Sequence, residues 1–332
     1  MDPAKALRLI GFYLERAGEP TFKVQAFRKA AATVDTLSSD EVQLRAKRGT
    51  LTQLAGIGKA TAGVIGDAVA GRQPDYLTKL IEAATLPVAG GEKMRAALKG
   101  DCHTHSEWSD GGSTIREMAE AARDLGHEWM ALTDHSPRLT VANGLTADRL
   151  RRQLEIVAEL NEQLAPFRIL TGIEVDIHLD GTLDQDEDLL AELDIVVASV
   201  HSKLRMPAGE MTRRMIRAVS SPYVTVLGHC TGRMKTAKRD RPESAFDAKA
   251  VFEACRDNGV AVEINSRPER LDPPLRLIEL AVELGCEFAI DSDAHAPGQL
   301  DWLPHGCERA EACDVPVSRV INTRSNPSRK AP

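Results

Sequence analysis

Apolar residues recur at helical spacing through Ala4–Ala17 and again through Val24–Leu37, with Gly18 and Pro20 between them. That pattern predicts two short helices joined by a turn. Leu51, Leu54, Ile57, Ala62, Ile65 and Val69 form a further apolar face, broken by one tight turn at Gly56-Ile57-Gly58. The stretch therefore reads as helix–hairpin–helix. The pattern changes after residue 97. Short β-like runs then alternate with amphipathic helices, which predicts a parallel α/β architecture. Seven strand candidates follow: Ala97–Cys102, Glu128–Thr133, Arg168–Ile173, Asp194–Val200, Val224–Leu227, Val260–Ile264 and Glu287–Ile290. Thr114-x-x-Glu117 supplies a capping box for the helix after the first strand, and Gly126 stops that helix. Ala83–Lys99 contains Pro87 and Gly90-Gly91, then a short piece with helical character, and reads as a connection. The expected organisation is a helical domain at 1–84, a linker at 85–96, an α/β domain at 97–324 and a disordered polar tail at 325–332.

A chain of 332 residues has room for a barrel of about 250 residues plus one small domain. The hydrophobic share of 42% and charged share of 27% are ordinary for a globular protein. No apolar run approaches the ~20 residues that span a bilayer, so no membrane role is expected. The charged start MDPAKALRLIGFYLERAGEP lacks the apolar core of an export signal. Six cysteines without dense spacing suit reduced thiols, and together these features predict a cytoplasmic protein. Charge changes the picture more. Residues 1–84 carry 12 basic against 9 acidic residues, while the rest carry 30 against 40, within a total of −7. A mildly basic module on an acidic body fits a nucleic-acid contact joined to a metal-binding enzyme, though an imbalance this small also arises by chance.

The candidate chemistry gathers at the strand ends, which read DCHTH, ALTDHS, LTGIEVD, VASVHS, VLGHCTGR, VEINSRP and AIDSDAH. His103 and His105 are two residues apart, so on a strand they project to one side. A lone H-x-H is as readily a hydrogen-bonded pair as a metal site. Six of the nine histidines, however, occupy equivalent positions: His103, His105, His135, His201, His229 and His295, with Asp110, Glu174 and Asp293 beside them. Scattered core histidines would not share one place relative to their strands. His127, His178 and His305 fall outside the pattern and read as structural or surface residues. In the hairpin, the backbone amides around Gly56 and Gly58, with Lys59 and Thr61, form a candidate DNA-phosphate contact. The bland alternative is a turn whose glycines only allow tight packing.

GEPTFKVQAFRKAAATV followed by LAGIGKATAGVI resembles the small N-terminal helical domain of family X DNA polymerases. That resemblance implies binding at gaps, nicks or 3′ ends. The polymerase fingers and palm would follow, and the chain leaves no room for them, so DNA synthesis is not expected. The strand-end motifs resemble the PHP domain (polymerase and histidinol phosphatase). This implies a distorted (β/α)7 barrel, with the small all-α helix–hairpin–helix domain before it. Amidohydrolase barrels also begin with H-x-H, but they usually end in a lone Asp, whereas here the last motif is Asp293-Ala-His295.

The resemblance implies three divalent metal ions, one on His103, His105, Glu174 and Asp293, a second sharing Glu174 with His201 and His229, and a third on Asp110, His135 and His295. Mixed imidazole and carboxylate ligands suit Mn²⁺, Zn²⁺ or Fe²⁺. Glu174, His103 and Asp293 are then the expected centre of catalysis, with Arg233, Arg267 and Lys203 as candidates for holding phosphoryl oxygens. Plain surface roles are equally open for the arginines. Two activities compete, a nuclease acting on DNA 3′ ends and a small-molecule phosphatase of the histidinol-phosphatase type. A non-catalytic DNA-repair adaptor is disfavoured by the complete ligand set.

Overall fold

The computed structural model describes residues 1–84, 90–236 and 240–328. The chain divides into two compact units, Met1–Pro87 and Val88–Pro332, and no polymerase-type palm is present among the described residues. Thr85–Ala89 of the expected linker and the last four residues of the expected tail lie outside the described residues.

The first unit is all helical, comprising α1 (Pro3–Arg16), α2 (Thr21–Asp35), α3 (Ser39–Arg48), a 3₁₀ turn at Leu51–Gln53, α4 (Lys59–Val69) and α5 (Asp75–Ala83). Its core joins Leu7, Ile10, Leu14, Phe27, Ile65 and Leu77. The first helix expected within the hairpin is only that 3₁₀ turn. The full helix before it is α3, which buries Val42 alone and so shows no apolar periodicity. Ser38 caps its start and left-handed Gly49 ends it.

The second unit begins with α6 (Glu92–Ala97), where Glu311 accepts from the amides of Gly91 and Met94. Residues 90–96, read from sequence as the end of a linker, are thus built into this unit. Its strands are β1 (Gly100–Thr104), β2 (Trp129–Leu132), β3 (Arg168–Asp176), β4 (Ile195–Ser199), β5 (Val226–Leu227), β8 (Ala261–Asn265) and β9 (Phe288–Asp291). These are the seven expected strands, all parallel and hydrogen-bonded in that order. A parallel bridge between Thr104 and Ala294 nearly closes the barrel. A small antiparallel hairpin, β6 (Met234–Lys235) with β7 (Asp240–Arg241), is additional and too short to be read as a pattern. Helices α7 (Ile115–Asp124), α8 (Ala147–Leu164), α9 (Glu187–Leu190), α10 (Ala208–Val219), α11 (Ala248–Asp257), α12 (Leu275–Glu283) and α13 (Leu303–Ala312) complete the unit. The capping box at Thr114 and Glu117 is present.

Cys102, Trp129, Ala131, Leu170, Val197 and Ala289 form one buried cluster, whereas Ile173, Val196, Val262 and Ile290 belong to another with the helices. Neighbouring strand residues therefore face opposite sides and both sides are dry, as in a closed parallel sheet. All six cysteines are free and buried. No helix among the described residues is long and apolar enough to cross a membrane.

His127 is only 4% exposed, with Nε2 3.2 Å from Arg95. Burial, then the Arg95 charge, push its pKa down to about 3. The folded state keeps this imidazole neutral, while the unfolded chain protonates it below about pH 6.5. The stabilising difference is therefore complete above that pH and is lost as pH falls towards 3. His127→Gln should remove about 2 kcal/mol of the acid destabilisation seen between pH 7 and pH 5, measured by urea unfolding at the two pH values. An unchanged pH dependence would refute the assignment.

Candidate metal centre

The barrel brings all nine predicted residues together at the carboxyl ends of its strands. His103 lies in β1 and His105 just beyond it, Glu174 lies in β3, and His135 pairs with Glu174 through an isolated parallel bridge. His201, His229 and Asp293 follow β4, β5 and β9. Asp293 adopts the left-handed region at φ 53°, which turns the chain sharply between β9 and His295. Gly228 precedes His229 because the strand passes very close to β4. A Cβ there would lie 2.3 Å from Ser199 Oγ.

Glu174, 1% exposed, is the hub. Its Oε2 lies 2.7 Å from His135 Nδ1, 3.4 Å from His103 Nε2 and 3.7 Å from His105 Nε2. Its Oε1 lies 3.0 Å from His229 Nε2 and 3.3 Å from His201 Nε2. Asp293 Oδ1 is 3.5 Å from His105 and 3.9 Å from His103. Asp110 Oδ1 sits 3.3 Å from His295 and 3.5 Å from His135. Three donor groups have spacing that would hold a cation: His103/His105/Glu174, His135/Glu174/His201, and His105/Asp110/His135/His295. They share members and together hold seven of the nine residues; His229 joins them through Glu174 and Asp293 through His103 and His105.

The donor set fits cations on its own chemistry. His103 Nε2, both nitrogens of His105, His135 Nδ1, both nitrogens of His201 and Glu174 Oε2 are buried with no hydrogen-bond partner. Leaving one buried polar atom unsatisfied costs about 1–3 kcal/mol, and here His103 Nε2, His105 Nε2, His135 Nδ1 and His201 Nε2 all lie within 3.7 Å of the Glu174 carboxylate. Outer contacts then set orientation. Glu263 Oε1 lies 2.6 Å from His103 Nδ1, which directs the opposite nitrogen inward. His295 Nδ1 donates to the Asp293 carbonyl at 2.9 Å, leaving Nε2 for Asp110. Asn265 Nδ2 and Arg270 Nε hold Asp293 Oδ2 at 3.2 and 3.1 Å, so Oδ1 faces the cluster.

Electrostatics follow the same geometry. Burial opposes ionisation of Glu174, but His201, His103 and His135 outweigh it and hold the carboxyl well below its usual range. Asp293 is likewise held low, chiefly by Arg270 against its burial. Burial lowers His201, yet Glu174 and Asp176 raise it to about 9. Burial and the neighbouring His295 and His135 push His105 well down. The carboxylates thus demand positive charge, which metal ions at the same place would supply.

Other predicted residues divide. Arg267 reaches the rim, with Nη1 3.4 Å from His295 Nδ1 and the guanidinium over Trp302. Arg233 does not. Its guanidinium pairs with Glu243 at 4.0 Å, and none of its described contacts is with the nine. Lys203 lies two residues beyond His201 and is exposed. In the hairpin, Gly56 is left-handed at φ 83° and Lys59 is exposed at the start of α4. Thr61 is buried, and its hydroxyl bonds Gly58 N–H and C=O, so it braces the turn and has no free donor to offer.

Glu263, Asp176 and Arg270 escaped the sequence reading, although all three sit in or beside the strand-end segments. Glu263 and Asn265, like Glu174 and Asp176, obey the two-residue strand spacing that marked His103 and His105. Carboxylates at that spacing were the available signal.

Residues 101–267 match the family model of the PHP domain, and residues 1–73 match that of a helix-hairpin-helix domain. The chain is 42% identical over 228 residues to the DNA polymerase/3'-5' exonuclease PolX of Bacillus subtilis, a match covering 69% of this chain and 40% of that protein. It is 30% identical over 232 residues to a probable phosphatase of Acetivibrio thermocellus, covering 67% of this chain and 90% of that one. A histidinol phosphate phosphatase from Lactococcus lactis, solved with zinc, L-histidinol and phosphate, superposes with a TM-score of 0.47 at 19% identity, over 65% of this chain and 92% of that one.

Proposed function

The chain belongs to the PHP domain family of metal-dependent phosphate-ester hydrolases, and on that premise we propose that its substrate is DNA. The reading is a 3′–5′ exonuclease or 3′-end-processing nuclease in DNA repair, with abasic ends among its substrates. One observation carries it: a single chain joins a helix-hairpin-helix unit to a barrel that gathers nine metal-type donors around Glu174 and Asp293. The 42% identity to an exonuclease-bearing relative supports it.

Three divalent ions, held as His103/His105/Glu174/Asp293, Glu174/His201/His229 and Asp110/His135/His295, would polarise a phosphodiester and activate water. Mn²⁺ and Zn²⁺ both suit these ligands. The protein's own contribution is placement. Glu174 stays ionised at the hub. Glu263 and Asp176 orient His103 and His201. Arg267, at the rim, is placed to meet a non-bridging phosphoryl oxygen. Gly56, Gly58 and Lys59 offer the amide-rich start of α4 to a backbone phosphate without reading sequence. Apart from Asp110, whose side chain is 37% exposed, the donors are recessed, so a strand terminus enters more readily than intact duplex.

The test gives the protein Mn²⁺ with 5′-labelled and 3′-labelled oligonucleotides, and with histidinol phosphate in parallel. A ladder shortening from the 3′ end of the 5′-labelled strand is expected. Turnover of histidinol phosphate alone would instead establish the small-molecule phosphatase.

A further inference from the structure

Resting on the DNA reading, we propose that an open groove next to His201 is a phosphate track that guides a single DNA strand to the metal centre. The groove has a volume of about 580 Å³ and is lined by four cations, Lys203, Arg213, Arg214 and Arg217, and two carboxylates, Asp180 and Glu210. Lys203 and Arg213 are exposed, and among the described residues neither lies within ion-pair distance of a carboxylate. Two other arginines in or beside the groove are committed: Arg138 to Asp176 and Arg217 to Asp180. Two uncommitted cations in one groove, on a body that carries a surplus of acidic residues, give a polyanion a favourable point of contact.

One wall of the groove is tied down by hydrogen bonds. Arg214 is 1% exposed and donates to the carbonyls of Ile177, His178 and Ser202. It thereby clamps the loop after His201 onto α10. Within that loop Lys203 takes the left-handed conformation at φ 55°, and Met206 N–H closes the turn onto the Lys203 carbonyl at 2.9 Å. A strained lysine held by its surroundings beside a metal ligand is the arrangement of a ligand clamp. Among the described residues no aromatic side chain lines the groove, so contact is with phosphates and is indifferent to sequence.

The experiment uses the full chain and a fluorescent 12-residue single strand ending in 3′ phosphorothioates, which resists cleavage. Binding is followed by anisotropy from 50 to 300 mM NaCl, and turnover of the natural strand is measured in Mn²⁺. Lys203→Gln with Arg213→Gln should flatten the slope of log K against log salt by about 1.4, or ~0.7 per lost phosphate contact. At 0.1 M salt that corresponds to roughly 25-fold weaker binding. Arg213→Gln alone should give half the slope change, and Lys203→Arg with Arg213→Lys should restore it, which a structural role would not do. If the wild type degrades DNA and the double variant keeps its slope and KM, the track is refuted while the nuclease stands. If the wild type neither binds nor degrades DNA, the nuclease reading falls and takes the track with it.

Discussion

Glu174→Gln is expected to lower metal-dependent turnover of any phosphate ester by about 10³–10⁴-fold, several kcal/mol of transition-state stabilisation. The substitution keeps size and shape, so the barrel should fold as before. What changes is charge and donor character. Glu174 meets five imidazoles between 2.7 and 3.7 Å, using both oxygens. An amide offers one acceptor and one donor, so it cannot hold two positive centres. The variant should also lose at least one equivalent of bound metal, read by elemental analysis beside a near-ultraviolet circular dichroism spectrum that stays unchanged. Full Mn²⁺-dependent activity with unchanged metal content would remove Glu174 from the centre.

The barrel was readable because its strands are short apolar runs and its polar residues recur at one place in each repeat. His103, Glu174, His201 and His229 each follow such a run, and strand register converts equal position along the chain into proximity in space. Contacts that depend on loop path were not readable. Arg233 and Arg267 both follow a strand end, β5 and β8, yet only Arg267 turns towards His295, and the loop carrying Arg233 bonds through its backbone to Asp272. Arg270 reaches Asp293 beside a left-handed Leu271, a backbone state that no periodicity announces. The helix α3 was invisible for the opposite reason, since almost none of it is buried. The role of the Thr61 hydroxyl in the turn is not legible from spacing, because it serves its own backbone by bonding to Gly58.

His103→Ala should abolish metal-dependent activity while leaving the fold, because it deletes a donor shared with both Glu174 and Asp293. Its partner gives a more discriminating result. Glu263 is wholly buried and touches the centre only indirectly, through His103 Nδ1, the His229 amide and Asn265. Glu263→Gln should therefore weaken metal affinity or activity by about 10–100-fold, the usual cost of losing an outer carboxylate on a ligand histidine. In the double variant the two losses should not add. With His103 gone, Glu263 has no imidazole to orient there, so His103→Ala with Glu263→Gln should be no worse than His103→Ala alone. Metal titration of all three variants provides the cycle. Losses that simply multiply would mean that Glu263 acts on the centre by a route other than His103, through the His229 amide or the charge of the buried carboxylate itself.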